Sequence, residues 1–597
     1  MHSDRAQAKS EWLPPRKFRF ASSGSQNADS GWKSFQPNGW RLCPGDRLYL
    51  DFDRKHFGRI HLHVATSKST VLRVYAYPHQ DTEAAFEFAS KHYKNPEFPL
   101  AWGTIILPPI EGLLTPGEQH WADSHSRAFR FLRLEAEGEI VVRGIELEAS
   151  AWPGLCEGHF ECSDSEVNRA WEMGRQTLGL CIQPALESQH PVGGPGQWVL
   201  WDGCRRDREI WIGDLRPAAL AHYSLSSNPE PVATSLRLAA SGAFENGLIP
   251  GSVSSRQVFN EYALWWVIAL WEYVVYTGDT LLATELAPAL KRLMGWIASH
   301  VSASNGLFEV ENSWSYTLPR KGPLCGPNIV LSHAYLAAAR LAKYCDLDAA
   351  SFELLAADQR ARVLHKYYDT EHYLFRDLPD AFLDQRVWED NNALGILLGV
   401  APPQDRLSIL AQLKNRLWGA WGSVTCWPKF AEEELNPLCP WAHNGTIWPF
   451  ANAYEVGAWM QCGQVTQGLD LLKRYTRACH HAGSETIWEM IYADGSLPLS
   501  PDRRYLLSLC HAWGATANHH LHRDLLGVAP LVEGWRKVRI APNIGNLEWV
   551  VGSVPTPMGP IRLEATRHGG AVRYKIVEMP PGIEVESPEG KLERAGR

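Results

Sequence analysis

Phe160-Glu161-Cys162-Ser163-Asp164-Ser165-Glu166 is where the chain changes character. Ser163 and Glu166 have the spacing of a capping box, and the apolar residues that follow (Val167, Ala170, Trp171, Leu178, Cys181) recur at helical intervals, so a helix is expected to begin here. Upstream the pattern differs. Short alternating runs such as Arg59 to Val64, Val71 to Tyr77, Phe129 to Ala136 and Ile140 to Glu148 are separated by Gly, Pro, Asp and Ser, the signature of strands and turns. Downstream, helical periodicity dominates to about residue 528, most clearly in Tyr262 to Tyr276, Leu281 to Val301, Leu331 to Cys345, Ser351 to Tyr368, Thr446 to Cys462, Gln464 to Ala482 and Leu506 to Leu526. Several of these runs are apolar on most sides, as expected of inner helices covered by an outer layer. Alternation returns in Arg536 to Ile540, Ile561 to Ala565, Val572 to Ile576 and Ile583 to Val585. The expected organisation is a β-sandwich over residues 1–155, a helical catalytic body over 156–528 and a smaller β-sandwich over 529–597, a multidomain and mainly α chain.

Composition narrows the function. The 597 residues are 45% hydrophobic and 21% charged, which is the balance of a folded protein too long for one core. A net charge of -8 without a basic stripe argues against nucleic acid and anionic membrane as partners. The N-terminal residues lack an apolar stretch, and the run Tyr262 to Tyr276 is short and interrupted by Glu272. A cytoplasmic protein without membrane spans is therefore expected. The 12 cysteines are scattered with no C-x-x-C pair and read as buried thiols. The 26 tryptophans are unusual; such enrichment suits surfaces where flat apolar faces meet a partly polar ligand, as sugars do.

Four segments hold the candidate chemistry. Trp201-Asp202-Gly203-Cys204-Arg205-Arg206-Asp207-Arg208-Glu209-Ile210-Trp211-Ile212-Gly213-Asp214 sets four carboxylates, three arginines and two tryptophans around two glycines, which suggests a binding loop running into a helix N-terminus. Gly483 to Met490 carries Trp488 and Glu489 between strong helices. Ser508 to Ala515 carries His511 and Trp513, and Trp441 to Phe450 carries His443 ahead of a helix whose first turn accepts Pro449. Glycoside hydrolysis needs two carboxyl groups flanking the scissile bond, and the first two segments offer such a pair.

These segments resemble the α-L-rhamnosidases of glycoside hydrolase family 78, in particular the subgroup with a W-D-G-x-x-R-D-R-x-x-W-x-G-D loop, matched from Trp201 to Asp214. The T-I-W-E element at Thr486 to Glu489, the S-x-C-H-x-W element at Ser508 to Trp513 and the helix start Asn260 to Trp266 are similar to the family as well, with Glu261 where the family commonly has Asp. The resemblance implies an (α/α)6 barrel and inverting release of terminal α-L-rhamnose from small rhamnosides or oligosaccharides. It sets Asp207 at the general acid and Glu489 at the general base. Asp202, Arg206 and Asp214 fall at positions that hold sugar hydroxyls, Trp211, Trp488 and His511 at the pocket wall, and Trp314 and His443 at further substrate contacts. Most of the wider family has Glu where this chain has Asp207. No cofactor is implied. His511, His519, His520 and His522 lack a convincing ligand set, so no metal is expected. The rival expectations are an exo-glycosidase of the same barrel for another sugar, and a non-catalytic carbohydrate-binding relative.

Overall fold

The computed structural model describes residues 9–22, 31–36, 39–78, 110–154, 157–186, 192–205, 207–311, 313–315, 318–379, 385–435, 443–497, 507–587 and 592–594. Arg206 lies outside the described residues.

The N-terminal strands join into one ten-stranded hydrogen-bonded sheet around the 20-residue strand Arg47–Thr66. The first half of that strand pairs with Lys17–Ala21 and Arg127–Ala136, and the second half with Ile140–Ala151 and Gly117–Ala122. Between the halves the register slips: Asp51 opposes Phe131 while His56 opposes Phe129, so residues 52–55 stand opposite Arg130 alone. Asp53 supplies the bend, with φ 72 and its backbone N–H donating to Asp51 Oδ1 at 2.8 Å. Such a bulge re-aims side chains out of the sheet. Leu48, Leu50, Ile60, Leu62, Val74, Leu132 and Leu134 lie in a separate apolar core beneath this sheet.

The helical body opens with α1 (Ser165–Cys181). Asp164, not Ser163, is its cap: Asp164 Oδ1 accepts from the backbone N–H of Glu166 and Val167, while Ser163 Oγ accepts from Glu548 N in the C-terminal region. Then follow α2 (Ile212–Leu225), α3 (Glu230–Ser241), α4 (Tyr262–Thr277), α5 (Thr280–Ser299), α6 (Cys325–Cys345), α7 (Ala349–Tyr367), α8 (Glu389–Leu397), α9 (Arg406–Leu417), α10 (Pro449–Gln461) and α11 (Val465–His481). The expected helix from Leu506 to Leu526 is instead a 3-10 turn, one α turn and a π turn between Ala512 and Leu525. Contacts run α2 to α4, α4 to α6, α6 to α8, α8 to α10, α10 to the Ala512–Thr516 turn, and from that turn back to α2. The cycle is closed. Its members are buried on nearly every side, as α4 is from Tyr262 to Leu270, whereas α1, α5, α7, α9 and α11 bury one face and cover the ring from outside.

The C-terminal region forms a five-stranded sheet and a three-stranded sheet. The strand His159–Cys162, just before α1, pairs with Trp549–Val554 and so belongs to the five-stranded sheet. Val538, Val550 and Leu563 share one continuous core with the helices. The expectation of a mainly α chain is corrected here: helix accounts for 38% of the described residues and strand for 27%. A reading by periodicity counts the residues between the helices with the helical body, and those residues carry two-stranded ladders of their own, such as Val387–Trp388 with Cys426–Trp427. No helix among the described residues is long and apolar enough to cross a membrane.

Candidate active site

The segments that enter the inner ring touch one another at one mouth: Trp211 meets Phe259, Glu261 holds Trp314 N, Arg320 meets Asp390, Trp314 meets Trp448, and His511 meets Asp214. Aligned helix N-termini concentrate unpaired N–H groups and positive dipole ends, which favours acidic groups there. Asp214 lies in the first turn of α2, Glu261 immediately before α4, and Glu389 and Asp390 in the first turn of α8.

The Trp201 to Asp214 segment leaves the short strand Trp198–Leu200 and folds on two clamps. Asp202 N donates to Glu209 O at 3.0 Å and Asp202 Oδ1 accepts from Glu209 N at 2.9 Å, which closes residues 203–208 into a loop. The Glu209 carboxylate accepts from the backbone N–H of Ile210, Ser254 and Ser255 and from Ser254 Oγ, fixing the loop's far end. At the tip, Asp207 and Arg208 both take left-handed backbone, φ 56 and 49. Each such non-glycine residue costs on the order of 1–2 kcal/mol, and strain of this kind collects at functional sites. Asp207 is half-buried, and the Arg208 guanidinium lies 5.4 Å over the ring of Phe57 from the N-terminal sheet. Trp211 stacks on Phe259, and a Cβ on Gly213 would collide with the Tyr262 ring at 2.3 Å. That absent side chain lets Tyr262 OH reach Asp214 Oδ1 at 3.3 Å.

The Glu489 segment is paired with the His511 segment. His511 N donates to Ile487 O at 3.0 Å, Glu489 N donates to Ser508 O at 2.8 Å, and Glu489 Oε2 accepts from Ser508 N at 2.7 Å. The acid loop is tied to the same segment, through Ala512 N to Asp202 O at 2.6 Å and Cys204 N to Cys510 O at 3.3 Å. His511 lies between two carboxylates: its Nε2 is 2.9 Å from Asp214 Oδ2 and its Nδ1 is 3.9 Å from Glu489 Oε2. Burial pushes the Asp214 carboxyl above the usual range, with His511 opposing. Asp202, Asp214, Glu489 and His511 are thus brought to one place, and Asp207 stands at the tip of the loop that Asp202 closes. Trp488 is fully buried, and its indole N–H has no hydrogen-bond partner among the described residues.

An aromatic wall faces this polar side. Trp314 meets His443, Trp448 and Phe450 edge-on with ring centroids 5.0, 5.6 and 5.0 Å away. His443 stacks on Trp448 at 4.2 Å, Phe450 stacks on Trp513 at 4.4 Å, and Trp513 touches His511 at 4.3 Å, joining wall to carboxylates. His443 is held by a left-handed backbone, φ 61, and its burial, reinforced by the Arg320 charge, pushes its pKa down to about 3.

Sequence reasoning missed what braces the wall. Glu261 Oε1 accepts from Trp314 N at 2.5 Å and Ser313 Oγ at 3.0 Å; burial pushes its pKa up to about 7, against the pull of those bonds and of Arg320. Arg320 is itself buried, with its guanidinium on Asp377, Asp390 and Ser315 and over the Trp388 ring at 3.9 Å. The signal was present in Trp388-Glu389-Asp390-Asn391-Asn392, a polar run whose residues are all buried. Among the described residues no group of three or more His, Cys, Asp or Glu is arranged to hold a metal ion. His520 Nδ1 lies against Asp524, and His522 Nε2 against the carbonyl of His159.

Residues 527–593 match the family described as the bacterial alpha-L-rhamnosidase C-terminal domain. Among curated proteins none matches this sequence. The fold is shared with solved structures. A GH78 family rhamnosidase of Bacillus sp. GL1 superposes with TM-score 0.72 at 22% identity, covering 92% of this chain and 54% of the other. A rhamnosidase from Klebsiella oxytoca with rhamnose bound gives 0.67 at 20% identity, covering 87% and 96%. The Streptomyces avermitilis alpha-L-rhamnosidase complexed with L-rhamnose gives 0.67 at 15% identity, covering 98% and 50%. The chain therefore spans about half the length of the Bacillus and Streptomyces proteins.

Proposed function

We propose that this chain is a glycoside hydrolase that releases terminal α-L-rhamnose from small rhamnosides, with inversion at the anomeric carbon. The observation that carries the reading is the joining of two carboxylate-bearing segments, 282 positions apart (489 minus 207), through the single His511 segment, opposite an aromatic wall. The match of residues 527–593 and the shared fold with rhamnosidases support the sugar.

In this mechanism Asp207 donates its proton to the departing glycosidic oxygen while Glu489, ionised, takes one from the water that attacks the anomeric carbon from the opposite face. Half-burial at the loop tip gives Asp207 access to a leaving group. The bond from Ser508 N orients Glu489. His511 and Asp214 border the base, and the aromatic wall receives the apolar faces of the sugar or of the group it leaves. A sugar bound against Trp314 and Trp513 also displaces water from the low-dielectric mouth, which strengthens each of these interactions.

The test is hydrolysis of 4-nitrophenyl α-L-rhamnoside beside a panel of other 4-nitrophenyl glycosides, with the first-released anomer followed by NMR. Release of β-L-rhamnose from the rhamnoside alone is expected. Cleavage of another sugar only would overturn the substrate, the α anomer would overturn inversion, and no release from any glycoside would leave a carbohydrate-binding role in place of catalysis.

A further inference from the structure

We infer that Lys55, on the bulge of the N-terminal sheet, is a positioning residue for the Glu489 and His511 segments; this rests on the hydrolase reading above. Lys55 is only 2% exposed, and its ammonium contacts three neutral oxygens: Ser484 Oγ at 3.3 Å, Thr486 Oγ1 at 2.5 Å and the Leu509 carbonyl at 2.9 Å. Those oxygens belong to the two segments whose pairing presents Glu489 and His511. Thr486 precedes Glu489 by three residues, Leu509 precedes His511 by two, and Thr486 Oγ1 itself donates to Leu509 O at 2.6 Å. The cation therefore sits across the seam and fixes the register of one segment against the other.

The bulge is locked in place around this contact. Lys55 N donates to Glu485 Oε1, Gln176 of α1 donates to Lys55 O at 3.0 Å, and Arg130, the residue opposite the bulge, bonds Asp51, Glu485 and the Gly483 carbonyl. Burying an ammonium costs several kcal/mol unless its donors are satisfied, and a methionine would fill the same space without that cost. A charge kept here serves geometry. On this view the N-terminal sheet completes the catalytic centre without supplying a group that touches substrate.

The experiment compares full-length wild type, Lys55→Met, Lys55→Arg and Thr486→Val in steady-state hydrolysis of the glycoside that wild type cleaves best, at 25 °C. Lys343→Met serves as a control: Lys343 is an exposed residue paired with Glu533, at the α6 end remote from the mouth. Displacing a reacting group by about 1 Å costs on the order of 100-fold. Lys55→Met is accordingly expected to lower kcat about 10- to 100-fold with KM within about twofold, and to displace the pH profile of kcat. Lys55→Arg should recover part of the loss, Thr486→Val should show a smaller loss of the same kind, and Lys343→Met should match wild type. A merely structural role would lower the melting temperature and leave kcat and the pH profile alone. If Lys55→Met does not fold, Thr486→Val and Lys55→Arg decide: wild-type kcat in both overturns the inference. A wild type that cleaves no glycoside overturns the hydrolase reading and this inference together, whereas an active wild type with an equally active Lys55→Met overturns this inference alone.

Discussion

On one side of the mouth, Asp202, Asp214 and Glu489 are each held by directional bonds from backbone N–H, imidazole or phenol donors at 2.7–3.3 Å, the imidazole being that of His511 on Asp214. On the other, Trp314, His443, Trp448, Phe450 and Trp513 lean on one another with ring centroids 4.2–5.6 Å apart, most of them edge-on. The difference matches what the proposed hydrolysis asks of each side. Proton transfer requires placement within a few tenths of an ångström, which hydrogen bonds and a strained loop provide. A surface for the apolar face of a ligand needs area and rigidity, which interlocked rings provide without committing polar groups. Loss of one polar contact should therefore remove rate, and loss of one aromatic contact should remove binding or stability.

The largest expected effect lies on the polar side. Asp207→Asn and Glu489→Gln keep the shape of each side chain and remove its proton chemistry, so each is expected to lower kcat by about 10²–10⁴ with little change in KM. Stopped assays over long times with each purified variant measure this. Wild-type turnover in either one removes that residue from its role and, with it, the functional contrast between the two sides.

The two sides also differ in how far the sequence reveals them. The polar side was legible because its loop, Trp201 to Asp214, is continuous: charges between glycines and tryptophans fit neither a helix face nor a strand. The helical runs were legible for the same local reason, since periodicity needs only a short window. The aromatic wall draws its five rings from three separate segments, around residue 314, residues 443–450 and residue 513, and nothing near Trp314 in the chain announces His443 or Trp513 as its neighbour. The brace under it was still less visible, because Arg320 finds Asp377 and Asp390 57 and 70 positions away. Lys55 escaped notice for another reason. A lysine in a strand reads as solvated, and only the register slip opposite Arg130 turns it inward. The proportion of strand was underestimated because the residues between helices were assigned to the helical body by default, as with the Cys426–Trp427 pairing.

A smaller effect, and a sharper one, concerns the brace of the aromatic wall. Burial holds the Glu261 carboxyl up at about 7, above its ordinary 4.5. Its folded form retains a proton that the unfolded chain releases, so stability from this group is full below about pH 4.5 and is lost as pH rises to about 7. His443 has the opposite sign: with a folded pKa near 3 against an ordinary 6.5, its contribution is full above pH 6.5 and is lost as pH falls toward 3. The wall is thus squeezed from both directions. Glu261→Gln keeps an oxygen to accept from Trp314 N and Ser313 Oγ but cannot ionise. It is expected to melt like wild type at pH 5 and to be more stable at pH 8 by on the order of 1–3 kcal/mol. Melts across that range would decide it: a variant less stable than wild type at pH 8 would mean that the ionised carboxylate is the form the wall prefers.

The smallest expected effect separates two tryptophans within the wall. Trp448 donates its indole N–H to Thr446 Oγ1 at 2.9 Å and stacks on His443, whereas the Trp513 N–H is buried with no hydrogen-bond partner among the described residues. Phenylalanine at either position preserves an aromatic face and removes similar volume, so the packing loss largely cancels between the two variants. What remains is one hydrogen bond, worth about 1 kcal/mol of stability, which Trp448→Phe forfeits and Trp513→Phe does not. A buried donor with no partner among the described residues is costly to maintain, and on the proposed function its position beside His511 sets it toward the oxygens of the sugar. Trp513→Phe should accordingly raise KM several-fold while its melting temperature stays above that of Trp448→Phe, and Trp448→Phe should show the reverse ranking. Equal effects of the two substitutions on both KM and melting temperature would show that the wall acts as one undivided apolar surface, with neither indole N–H contributing beyond the area of its ring.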